Sequence, residues 1–326
     1  MLRFKPKMFQ EASASYVNHS IPVKILIFIA AFVVILILES IIPSVLTLPE
    51  IMDELASDPL YTSGKKQLTL AESMDIASKY THEPKIMIPN LLCTVFGTIV
   101  SLFCCRCIEM RHVRSMGVRK RRLVPHYLTG LGIGAVLMTS ITLLTVISGA
   151  NSISLCSGIN FGIIALYLLG FFVQGMSEEF IFRGYLMSSL GSKNTTIAVI
   201  VNSAAFGLAH GLNPGLTPLA MVNLVLFGLF ASFYVILFDD LWGACAIHSV
   251  WNFMQGNIYG ISVSGSGKSE SVFAVSQKSS HGFLTGGDFG IEGSIFTTII
   301  LLIATAAVLY AIKRSYPDEK KITQTK

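Results

Sequence analysis

Eight apolar runs recur along this chain, and each is long enough to cross the roughly 30 Å of a bilayer's hydrocarbon core as a helix. They cover about residues 21–42, 86–105, 126–148, 161–190, 196–212, 217–238, 240–258 and 293–313. Few folds are open to such a chain. In hydrocarbon every backbone N–H and C=O must find a partner in its own helix or in a closed barrel, and runs of this length suit helices. Composition agrees. Hydrophobic residues make up 52% of the 326 residues and charged residues 13%, against about a quarter charged in soluble domains. The expected fold is all-α: a polytopic membrane helical bundle of about eight transmembrane helices. It forms a single membrane domain over residues 1–326, in a multi-pass protein of the cell membrane.

The charges report topology. The first apolar run is too long for a signal-peptide core and lacks a small-residue cleavage site. With both termini placed in the cytoplasm, eighteen of the 24 Lys and Arg residues fall on the cytoplasmic side, as the positive-inside rule requires. The run RHVRSMGVRKRRLVPH from Arg111 then reads as a cytoplasmic anchor. The net charge of +5 thus flanks spans and gives no reason to expect a nucleic-acid partner; the expected partners are the lipid bilayer and a substrate within it. Residues 257–292 form a Gly/Ser-rich external loop. Its GSGKS run is no phosphate loop, because Ser262 stands where the motif needs glycine and no strand precedes it.

Other patterns have plain structural readings. Six cysteines (Cys93, Cys104, Cys105, Cys107, Cys156, Cys245) imply no disulfide framework, and the Cys104–Cys107 spacing has no second pair to complete a zinc site. Gly130, Gly132 and Gly134 read as small residues that let helices approach closely.

One cluster does not fit an inert bundle. Glu178, Glu179 and Arg183 fall within the fourth run, FGIIALYLLGFFVQGMSEEFIFRGYLMSSL. Each ionisable group inside a membrane helix costs roughly 2.5–3.5 kcal/mol on insertion scales, so three in six residues need a reason. Glu179 and Arg183 are spaced i,i+4 and can pair on one helix face. Of seven histidines only His210 and His248 lie well inside spans. Phe206 precedes His210 by four residues and Asn252 follows His248 by four, again a shared face. At 1.5 Å per residue, Glu178 lies about 18 Å, His210 about 21 Å, and His248 and Asn252 about 12 and 18 Å from the same membrane side. Polar groups from three spans thus share one depth.

In order and character these three motifs, Glu178-Glu179-x3-Arg183, Phe206-x3-His210 and His248-x3-Asn252, resemble those of the CPBP family, the CAAX-processing and bacteriocin-processing intramembrane proteases. The resemblance covers about residues 115–257, the expected CPBP-like catalytic core. It implies a membrane-embedded endopeptidase in which the first glutamate is the base. The implied substrates are CAAX-like tails, bacteriocins, peptide pheromones or membrane proteins.

The residues themselves allow that chemistry. Glu178 is expected to take a proton from water that His210 orients. His248 and Asn252 are expected to donate to the developing oxyanion, and Glu179 to orient its neighbour while pairing with Arg183. Phe206 is expected to shape the pocket wall. No cofactor is certain. A divalent metal such as zinc stays open, with His210, His248 and Glu178 as its ligands, although the H-E-x-x-H arrangement is absent. Cys245 as nucleophile would leave the glutamates unexplained. Two other functions compete: a non-enzymatic bacteriocin self-immunity or partner-binding protein, and a transporter or proton relay. All six motif residues are present, which favours the enzyme, and there is no inverted repeat of the transporter kind.

Overall fold

A computed structural model describes residues 5–316 apart from residues 18 and 65. Arg3, Lys65 and the tail residues Lys320, Lys321 and Lys326, which enter the charge tally, lie outside the described residues. The protein is a helical membrane bundle. Its main helices are α1 (Lys7–Ser13), α2 (Ile21–Ser57), α3 (Leu70–Tyr80), α4 (Pro84–Ile108), α5 (Leu123–Ile147), α6 (Phe161–Gly191), α7 (Thr195–Ala209), α8 (Pro218–Phe238), α9 (Trp242–Phe253) and α10 (Ile295–Ser315).

Each expected span is matched by a helix, but their lengths differ. Among the described residues six helices, α2, α4, α5, α6, α8 and α10, are long and apolar enough to cross a membrane. The other two expected spans are the shorter helices α7 and α9. α7 ends at Ala209, so His210 sits on its C-cap and not inside a helix.

Local signals set the helix starts. Asn160, Asn194, Thr217 and Ser294 accept the N–H three residues on at the heads of α6, α7, α8 and α10, supplying donors that would otherwise be unpaired there. α2 runs on to Ser57, beyond the apolar stretch, and carries Pro43 and Pro49 inside it. Its acidic end packs beside α3: Glu54 pairs with Lys79 at 2.5 Å and accepts from Tyr80 at 3.1 Å, while Glu50 pairs with Lys85. The acidic stretch beyond the expected 21–42 span is therefore helical.

The centre of the bundle is α9, which packs most extensively on α5 and α6. Glycines permit the contact. A Cβ on Gly130 would stand 2.3 Å from the Gly243 carbonyl oxygen, one on Gly134 2.6 Å from that of Ile247, and one on Gly175 2.6 Å from the Ser249 nitrogen. Gly132, expected in the same role, meets nothing within 4 Å and faces away. α8 packs between α7 and α10, and α2 lies along α4. The flanks of α2 and α10 stay apolar and exposed, with Val33, Leu36, Ile37, Leu302 and Ile303 each half or more uncovered. Lipid is the natural solvent for such a surface.

Two strands complete the fold. β1 (Asn151–Leu155) pairs antiparallel with β2 (Phe273–Gln277), Ile153 opposite Val275. This pairing ties the α5–α6 connection to the Gly/Ser-rich loop expected over residues 257–292. Residues 259–263 and 289–293 of the loop are buried. Asn213 donates to the Ser264 carbonyl at 2.8 Å, and Gly265 N–H to that of Phe289 at 2.9 Å.

Candidate active site

The glutamate pair lies at the end of the regular part of α6, just before eight residues, Phe180–Met187, wound as a π-helix. The two carboxylates diverge. Glu179 and Arg183 are fully buried, whereas Glu178 keeps 20% of its side chain accessible to a cavity of about 400 Å³. Glu178, His210, His248 and Asn252 all line that cavity.

Glu179 is a buried hub. Its Oε1 accepts from Arg183 Nη1 at 2.8 Å, as the i,i+4 spacing predicts, and from His248 Nδ1 at 2.9 Å. The Arg183 guanidinium lies 4.3 Å from the centre of the Phe206 ring and 5.9 Å from that of Phe227. An aromatic face attracts a cation, more so when both are dry. This partly offsets the burial of a guanidinium whose Nε and Nη2 have no hydrogen-bond partner. Phe206 is therefore an arginine platform as well as a wall, and its ring also stands 4.9 Å from that of His210 and 5.8 Å from that of His248.

Both imidazoles turn the same nitrogen toward the cavity. His210 Nδ1 lies 2.9 Å from the Phe206 carbonyl oxygen, which can only accept, so Nδ1 carries a proton. His248 Nδ1 donates in the same way to Glu179 Oε1, which Arg183 also contacts. The two Nε2 atoms then face Glu178 Oε2 at 3.9 Å (His210) and 3.7 Å (His248). These gaps exceed a hydrogen bond, and Glu178 Oε2 has no direct partner. A polar gap of this size suits a bridging water. One water can donate to Glu178 Oε2 and to one of the two Nε2 atoms.

Sequence reasoning missed Gln174. Its Nε2 donates to Glu178 Oε1, and its Oε1 accepts from Asn252 Nδ2 at 2.9 Å. Asn252 therefore reaches Glu178 through an amide on α6, one turn before the glutamate. The i,i+4 spacing of Gln174 and Glu178 in an oily run was the available signal. Also unanticipated are Glu39 on α2, Asn90 on α4, Asn213 after α7, and Ser264 and Glu292 from the Gly/Ser-rich loop, all cavity walls. Ser177 is spent on the Thr94 carbonyl and Ser249 on that of Phe172 at 3.4 Å. Cys245 is fully buried and does not line the cavity. Among the described residues, no group of three or more His, Cys, Asp or Glu side chains is arranged to hold a metal ion.

Comparison with known proteins gives one match. Residues 160–254 match the family described as type II CAAX prenyl endopeptidase Rce1-like. No curated protein and no solved structure matches the chain significantly. The matched segment holds Gln174, Glu178, Glu179, Arg183, Phe206, His210, His248 and Asn252 together, and stops before the Gly/Ser-rich loop. Over residues 160–254 the chain is thus similar to the CAAX-type membrane proteases, the resemblance its motifs already carry.

Proposed function

We propose that the protein is an intramembrane endopeptidase in which Glu178 activates water for attack on a peptide bond. The observation that carries this reading is the convergence of His210 Nε2 and His248 Nε2 on Glu178 Oε2, at 3.9 and 3.7 Å, on the wall of a cavity inside the bundle. A carboxylate in such a site, held through its other oxygen by Gln174, has a free oxygen turned toward the water it would deprotonate. His210 Nε2 accepts a second hydrogen bond from that water and aims its lone pair. As the carbonyl carbon becomes tetrahedral, its oxygen gains negative charge. The unused N–H of Asn252, and His248 when its ring carries a second proton, donate to that oxygen. Glu178 then returns its proton to the leaving amine, which closes the cycle with no other acid. Glu179 and Arg183 hold His248 in its working tautomer.

The reading extends to substrate, topology and metal. The substrates are CAAX-like tails, bacteriocins, pheromones or membrane proteins. All eight helices, including α7 and α9, span or enter the bilayer, with both termini cytoplasmic. Hydrolysis runs without a metal, because the convergent groups already supply a base, a water-orienting acceptor and oxyanion donors.

The test compares peptides released in membranes carrying the wild-type chain or Glu178→Gln. Products that vanish in the variant, at equal protein level, support the base. Unchanged products refute it. Full activity of metal-free protein after chelation supports the metal-independent form, and loss restored by added zinc overturns it.

A further inference from the structure

Glu178 is not the only carboxylate facing the cavity. Glu39 enters it from α2, outside the segment that matches the family. Apart from Ser40, the residues around it on that helix are apolar, and Ile37 and Ile41 are each at least half exposed. A carboxylate within so apolar a helix carries a cost of order 2.5–3.5 kcal/mol on insertion scales.

The other acidic walls have donors of their own. Glu178 accepts from Gln174 and faces two histidines. Glu292 Oε2 accepts from Ser264 N and Oγ, each at 2.8 Å, and from Gln255 Nε2 at 3.2 Å. Glu39 has the Gly97 N–H beside it and feels the charge of Glu178 across the cavity. Among the described residues, no lysine or arginine lines this cavity. Glu39 thus stands in a chamber of mixed polar and apolar walls with no lysine or arginine to compensate its charge, and the chamber is where a substrate would lie.

We propose that Glu39 is a specificity-determining residue that pairs with a cationic group of the substrate, an ammonium or a guanidinium, while the scissile bond faces Glu178. This rests on the protease reading. A cation on an apolar peptide segment is itself costly in hydrocarbon, so bringing the two charges together relieves both penalties. In a low-dielectric cavity their attraction far exceeds its value in water. A second role in proton transfer is not needed, since both imidazole Nε2 atoms address Glu178 and the leaving amine regains its proton from there.

Binding is measured on the purified full chain carrying Glu178→Gln, in detergent. Three N-acetylated, C-amidated apolar peptides differ only in a central Lys, Gln or Glu. A fourth has the central Gln and a free α-amino group. The Lys peptide should bind at least tenfold tighter than its Gln and Glu counterparts. A further Glu39→Gln change should erase that preference, and Glu39→Lys should invert it toward the Glu peptide. An inversion is something a merely structural role of Glu39 would not produce. Preference for the fourth peptide over the Lys peptide would assign the cation to the substrate's N-terminus. Equal binding of all four, binding of none, or a preference that survives Glu39→Gln overturns the proposal. With Glu178 restored, a charge preference without any cleavage would instead remove the protease reading and leave the cation site standing.

Discussion

Glu178 and Glu179 are adjacent in sequence but have separate tasks, because successive residues on a helix point about 100° apart. One faces the cavity and the other faces Arg183 and His248. Their substitutions should therefore fail in different ways. Glu178→Gln should lower hydrolysis by about 100-fold or more, the usual scale for a lost general base, and leave the thermal unfolding midpoint close to wild type. Arg183→Met leaves Glu179 charged, buried and facing only His248. Breaking a buried pair costs about 3–5 kcal/mol, so this variant should unfold at markedly lower temperature and lose activity with its fold. Gln174→Leu should lower kcat more than it changes KM, because the amide holds the carboxylate and contacts no substrate. Steady-state kinetics in detergent would separate the two, and a change confined to KM would contradict this role. The motif residues were legible because a charge in an oily run is an energetic anomaly, and because i,i+4 spacing names its partner. Gln174 escaped because an uncharged amide raises little alarm. Glu39 is the same kind of anomaly as Glu178, but no partner at helical spacing drew attention to it.

At the scale of elements, the site depends on how closely α6 and α9 approach. Gly175 allows this one turn before Glu179, opposite Ser249 and beside His248. Gly175→Ala places a Cβ 2.6 Å from the Ser249 nitrogen. The backbones must separate, at about 1–3 kcal/mol for overpacking, and the Glu179–His248 bond must lengthen. Activity should fall severalfold or more. Gly132→Ala is the control: its Cβ meets nothing, so stability should hold or rise slightly with activity unchanged. Comparable losses in both variants would refute the packing argument. Each expected span holds a helix, but the sequence pattern did not give the helix lengths, and six of the eight are long and apolar enough to cross a membrane. α7 stops at Ala209 because Gly211, Asn213, Pro214 and Gly215 crowd its end, and turn residues of this kind override hydrophobicity. The acidic stretch after Ile42 continues α2, and its carboxylates find lysines on and after α3.

For the whole molecule, orientation is the open expectation with the most direct test. In a cysteine-free background, Arg121→Cys should react with a membrane-impermeant maleimide only from the cytoplasmic side, and Ser279→Cys only from the outside. The reverse pattern would invert the topology. The stretch 257–292 reads as a loop from its Gly and Ser content. What orders it is tertiary: strand pairing with β1, and glycines at positive φ such as Gly265 and Gly290, where any Cβ would collide with neighbouring backbone. Such long-range pairing leaves no periodic trace in a sequence. Glu292→Ala removes the acceptor for Ser264 and Gln255. It should loosen this cover and raise hydrogen exchange across residues 259–266 ahead of the bundle.

The π-wound stretch after Glu179 has a bearing on descent. A π turn accommodates one residue more than the α turn it replaces, so an insertion can be absorbed there without rotating the rest of the helix. Glu178 above it can then keep its aim, while Ser188 and Ser189 below it keep theirs toward Arg111 and Glu109. Natural variation in length would be tolerated between Phe180 and Met187 more readily than anywhere else in α6, and relatives one residue shorter there should carry the same chemistry on an unbroken α-helix.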